Sequence, residues 1–185
     1  MKLQRITTIT FALVVLIVST ALAQSVDLAV PYEQQQANDW CWAASVQMML
    51  EYLHHPVSQC AIVEQGYWKY PMTCCPGPPV NYFCSNWLGS TSQVQAVVYN
   101  NSGFTSVLTT QLSPALLFQE LQLGKPVIAH VNLWARANAG HFAVIRGMTY
   151  YNTIPYVIIN DPLFGYRQVD WSSFSPTWDY SVVPW

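Results

Sequence analysis

A chain of 185 residues with 52% apolar and 14% aromatic residues, but only 9% charged ones, has the makings of a compact globule with a large core. This excludes a disordered or fibrous protein. The length suits one domain. A formal net charge of −2 without a basic stripe excludes nucleic acid as a partner.

The start of the chain reads as a targeting segment. Lys2 and Arg5 are basic, FALVVLIVST is apolar, and Ala21-Leu22-Ala23 forms a small-residue cleavage site before Gln24. That order is a secretory signal peptide over residues 1–23 rather than a membrane anchor. Its removal takes away Lys2 and Arg5 and no acidic residue, so the mature chain is the more acidic. No later segment is apolar enough to span a bilayer, so residues 24–185 are expected to be secreted, free of the membrane and monomeric.

The mature chain opens on a run of glutamines, Gln34 to Gln36, followed by Asn38 and Asp39, either of which can cap a helix. From Cys41 the sequence CWAASVQMMLEYLHH brings Trp42, Val46, Met49 and Leu53 onto one helical face. The helix is apolar nearly all round, which predicts a buried central position, and Pro56 ends it. His54 and His55 fall at its C-terminal end, where positive charge is favoured. A loop dense in Pro and Gly follows, about residues 60–84, then a mixed region to about Thr110. Ser113-Pro114 begins a second helix, ALLFQELQL continues it, and Gly124 stops it. Three β-rich runs come next: a strand around Val127 to Val131, HFAVIRG from His141, and YVIIND ending at Asp161. GYRQVDW is a fourth. Helices first and an antiparallel sheet second make an α+β fold. His130 is expected to pack within the sheet.

The cysteines carry their own arithmetic. Cys60, Cys74, Cys75 and Cys84 cluster in the loop, and Cys41 stands apart. Adjacent cysteines rarely bridge each other, because a disulfide wants Cα atoms about 5.5 Å apart without backbone strain. Cys74 and Cys75 are therefore expected to take Cys60 and Cys84, in either order. The loop lacks C-x-x-C spacing and histidines, which argues against a metal site. Cys41 remains as the one unpaired thiol of a secreted chain.

A hairpin centred near Tyr151 would put His141 opposite Asp161, with Asn160 as the partner if the register slips. A thiol at a helix start meets roughly half a positive charge from the macrodipole, which favours thiolate, the nucleophilic form. An imidazole then serves as its ion-pair partner, and a carboxylate fixes the imidazole's tautomer. Cys41, His141 and Asp161 supply those parts in that order. Acyl chemistry also needs donors for an oxyanion; a helix-start N–H is one and a side-chain amide another. Gln35, six residues before Cys41, is the candidate, with Gln34 and Gln36 as neighbours that could take its place.

This set (Gln35, Cys41 in CWAA, Gly140-His141 before an apolar strand, Asp161-Pro162 after the next) resembles the papain-like cysteine peptidases over about Val30 to Phe174. It is most similar to two bacterial branches, the double-glycine peptidases and a secreted group of the type III effector kind. The resemblance implies Cys41 as nucleophile, His141 as general base and acid, Asp161 as its orienting partner and Gln35 as oxyanion donor. It implies a protein or peptide substrate and no cofactor or metal. Two departures stand out: an aspartate, Asp161, where papain has asparagine, and Trp42 where double-glycine peptidases usually have glycine. The same Cys-His-Asp order also fits an acyltransferase of transglutaminase type. A catalytically inactive binding or effector module is the reading in which none of these residues acts.

Overall fold

The computed structural model describes residues 25–66, 74–75, 82–132 and 140–184. The expected signal peptide lies outside them, as do residues 67–73 and 76–81 of the expected loop. Among the described residues no helix is long and apolar enough to cross a membrane.

The expected long helix forms as α1, Cys41–Tyr52. Its end is a left-handed cap: His54 takes a φ of 64°, and the N–H groups of His54 and His55 donate back to Glu51 and Leu50. The second expected helix is α5, Pro114–Gln122, capped by Ser113 and closed by Gly124 at a φ of 76°. Two helices went unforeseen. What was read as the start of a loop is α2, Gln59–Gly66, and the mixed region contains α4, Thr91–Ser102. α4 buries only Val94, Val97 and Val98, a thin stripe easily lost among polar residues. Its Ser90/Gln93 capping box and Gly103 terminus were nonetheless legible. A single turn, α3, spans Tyr82–Ser85.

The strands are β1 (Ser25–Asp27), β2 (Ser106–Thr110), β3 (Val127–Asn132), β4 (Gly140–Tyr151), β5 (Ile154–Asp161), β6 (Gly165–Asp170) and β7 (Trp178–Pro184). They form one antiparallel sheet in the order β2-β7-β3-β4-β5-β6, with β1 pairing with β4 beyond the stretch that β3 covers. The expected strands lie side by side as β3, β4, β5 and β6. β7, a central strand, was not expected: WDYSVVP follows two short turns, the helix α6 (Trp171–Phe174) and a 3₁₀ turn, and its partners β2 and β3 lie far back in the chain.

The sheet separates two cores. On one face Trp40, Trp42, Met49 and Leu50 pack with Ile128, Phe142 and Val144; on the other Leu117 and Leu121 pack with Val127, Ile145 and Val157. Both cysteine bridges lie beside the first core. Cys60 pairs with Cys75 and Cys74 with Cys84, at Cα separations of 5.9 and 5.6 Å. They tie α2 and α3 through the adjacent pair, and Cys41 is free and buried.

Trp42 is the keystone of this side. It is fully buried, and Gly66 of α2 and Gly89 lie against its ring; a Cβ at Gly66 would come within 2.7 Å of it. Trp42→Ala leaves a cavity that two glycine backbones cannot collapse into, so a loss of about 3–5 kcal/mol is expected. A fall in the urea midpoint with unchanged slope is the check.

Candidate active site

The site gathers where the start of α1 meets the ends of β4 and β5. Cys41 is the first residue of α1, and the N-cap position before it is Trp40, with no side-chain cap. The expected caps, Asn38 and Asp39, do not serve. The chain is held here by indoles instead: Trp40 Nε1 donates to the Cys84 carbonyl at 2.7 Å and Trp42 Nε1 to the Trp87 carbonyl at 3.1 Å. Asp39 N–H also donates to the Ser85 carbonyl. Both tryptophans are wholly inside, so they hold the helix and do not line a cleft. An uncapped start leaves first-turn N–H groups without intrahelical acceptors.

His141 and Asp161 are both buried, and His141 Nε2 meets Asp161 Oδ1 at 2.8 Å. The route to this contact differs from the expected one. The turn is Asn152-Thr153, both at positive φ, and Arg146 bulges out of the ladder. In the resulting register Val144 pairs with Asn160. One step further Asp161 falls opposite Ala143, so His141 is its diagonal neighbour rather than its opposite. Asn160 is not the partner of His141; its amide donates to the Val30 and Pro31 carbonyls.

Asp161 Oδ1 also accepts the N–H groups of Leu163 and Phe164, at 2.9 and 3.2 Å, from the turn into β6. These donors carry no sequence signature. Burial pushes the Asp161 carboxyl up, yet its bond to His141, the imidazolium charge and the two N–H groups together hold it below its ordinary value. Burial likewise opposes charge on His141. Hydrogen bonds to Asp161 and Cys41, with the negative charge on each, outweigh it and push the imidazole up to about 9. With Nε2 on Asp161, Nδ1 is the nitrogen left for Cys41.

Gln35 joins the site through its backbone, its N–H donating to the Pro162 carbonyl at 3.1 Å. Its side chain is not open as expected. Nε2 donates to the Ala37 carbonyl at 3.0 Å and to that of Asn38 at 2.7 Å, and Oε1 is buried with no partner among the described residues. Gln34 and Gln36 are exposed, and their backbones are held by the side chain of Gln59.

His130, expected as core, is half-buried. Its Nδ1 pairs with Asp179 Oδ1 at 2.7 Å, and Asn132 donates to the other oxygen of Asp179. Its ring occupies the space a Cβ would need at Gly140. Gly140→Ala therefore has to displace His130 or tilt the start of β4 just before His141. A stability loss of about 1–3 kcal/mol by denaturant titration, together with a lower kcat/KM, is expected.

The model of the Peptidase C39-like family matches residues 27–182. The chain belongs to this family. The match runs from the last residue of β1 through most of β7, beyond the span over which the motifs alone carry the resemblance. No curated protein matches the chain. Among solved structures, a C39-like peptidase from Bacillus anthracis is similar at 18% identity and a TM-score of 0.64, covering 86% of this chain and 96% of that one. A double-glycine-motif protease of an AMS/PCAT transporter, solved with a leader peptide, is similar at 21% identity and a TM-score of 0.57, over 86% and 94%. Procathepsin L 3 of Tenebrio molitor is similar at 12% identity and a TM-score of 0.58, over 90% and 71%. The fold is papain-like and the C39-like chain is a cysteine-type peptidase.

Proposed function

We propose that this C39-like chain is a secreted peptidase that hydrolyses peptide bonds through Cys41, His141 and Asp161. The observation that carries the reading is the 2.8 Å bond between His141 Nε2 and Asp161 Oδ1, with the free thiol of Cys41 bonded to the same imidazole at a helix start. The thiolate attacks the scissile carbonyl carbon, and the C=O electron pair moves to oxygen. The Cys41 backbone N–H at the uncapped start of α1 donates to that oxyanion. Collapse re-forms the carbonyl and expels the amine, which takes its proton from His141 Nδ1 and leaves a thioester on Cys41. Water then gives a proton to Nδ1, attacks the thioester and releases the carboxylic acid and the thiolate. Asp161 stabilises the imidazolium throughout. Gln35 is the second oxyanion donor in this reading. To reach the substrate, its amide has to share with the oxyanion one of the N–H groups it now donates to the Ala37 and Asn38 carbonyls.

A protein or peptide substrate is favoured by the family and by the leader peptide bound to the transporter protease. Export of residues 24–185 is favoured by two disulfides, which persist in oxidising compartments. The test is product analysis with a peptide substrate and a competing primary amine. New amino termini are the expected products. Amine adducts exceeding hydrolysis would instead make the protein an acyltransferase. A chain with neither product, and with no alkylation of the folded Cys41 by a peptide electrophile, would be an inactive module.

A further inference from the structure

We propose that Gln59 is a positioning residue for the loop that presents Gln35, an inference that rests on the peptidase reading above. Gln59 is fully buried, where an amide without partners is costly. Its partners are specific. Oε1 accepts the Gln36 N–H and Nε2 donates to the Gln34 carbonyl, both at 2.9 Å. These are the backbone groups on either side of Gln35, so one side chain grips the loop as a neighbouring strand would.

Gln35 itself adds a further backbone tie, its N–H on the Pro162 carbonyl. Gln35 is thus suspended between two supports. One is the first residue of α2. The other is the residue after Asp161. A rigid helix end presents the first support, and the next residue, Cys60, is bridged to Cys75. Space filling alone would call for an apolar side chain at this buried place. An amide that satisfies one donor and one acceptor of the same short loop sets that loop's height and tilt.

The consequence is kinetic. Oxyanion donors act when held about 2.7–3.1 Å from the developing charge, and a displacement of about 1 Å can cost about 10²-fold. Thiolate formation at Cys41 depends on α1 and His141, whereas the hydrogen bonds of the Gln59 side chain go to Gln34 and Gln36. Loss of Gln59 should therefore slow the acyl step and spare the thiol.

Gln59→Met keeps the length and removes both bonds. Its kcat on a peptide substrate is expected to fall about 10- to 100-fold, with KM and the rate of Cys41 alkylation by iodoacetamide unchanged. In a Gln35→Ala background it should cost nothing further. Gln59→Glu keeps both bonds while its carboxyl is protonated and loses the donor when ionised, so its pH profile should gain a descending limb that the native enzyme lacks. Wild-type kcat in Gln59→Met beside a slow Gln35→Ala overturns this proposal alone, as do additive losses in the double variant or alkylation falling in step with kcat. Full activity of Gln35→Ala overturns the oxyanion reading and this proposal with it. Should Gln59→Met fail to fold by circular dichroism, the Gln59→Glu profile decides, and absence of the extra limb overturns the proposal.

Discussion

Cys41→Ala is expected to lower kcat/KM by about 10⁴–10⁶-fold, the range seen when a covalent nucleophile is removed. The loss should be chemical, not structural. Cys41 is free, so the substitution breaks no bridge, and it replaces one buried sulfur by hydrogen in a helix that favours alanine. The variant's Tm should stay near that of the native chain, and its affinity for uncleaved peptide should persist. Mass spectrometry supplies a second reading. Unfolded without reductant and treated with an alkylating agent, the native chain should take one label at Cys41 and the variant none, because the other four cysteines are bridged. Retained hydrolysis in Cys41→Ala would end the peptidase mechanism as drawn here.

Asp161→Ala is expected to lower kcat by about 10²–10⁴-fold and to move the alkaline limb of the pH profile. The sign follows from the forces on His141. Burial lowers its pKa; the bonds to Asp161 and Cys41 and their charges raise it to about 9. Activity that needs imidazolium to protonate the leaving amine should therefore decline as pH rises through about 9. Without Asp161 the burial opposes only Cys41, and the limb should shift toward neutral pH. A limb that stays near 9 in the variant would leave Asp161 with a purely structural part.

Stability obeys the same linkage. The raised His141 contributes fully below its ordinary 6.5 and loses that contribution as pH climbs through about 9. The depressed Asp161 contributes above its ordinary 3.8 and loses it as pH falls. Their shared bond should stabilise the native chain most between 3.8 and 6.5, and the Asp161→Ala variant should lack that maximum.

The parts of the fold that the sequence announced are those with strong local grammar. α1 has an unbroken apolar face, α5 has Ser-Pro before it and Gly after it, and β3, β4 and β5 are rich in β-branched and aromatic residues. What was hidden depends on distant partners. β7 is a strand because β2 and β3 flank it, and nothing within WDYSVVP says so. The His141–Asp161 contact was legible, but by a compensating route: turn and bulge together move the register so that the pair meets diagonally. The adjacent cysteines predicted the bridging set and left its order to the structure. Gln59 belongs to no motif, and only tertiary contact reveals its grip on the glutamine loop.

The tryptophans and cysteines around α1 carry a final consequence for how such an enzyme must be handled. The carbonyl that holds Trp40 belongs to Cys84, and the residue before Cys60 grips the loop ahead of α1, so both bridges anchor the ground from which Cys41 acts. A reductant that rescues an oxidised nucleophile is the same reagent that cuts those anchors. With Cys41 as the proposed nucleophile, activity is therefore expected to peak at an intermediate redox potential, and buffers made reducing enough to suit an ordinary thiol protease are expected gradually to switch this one off.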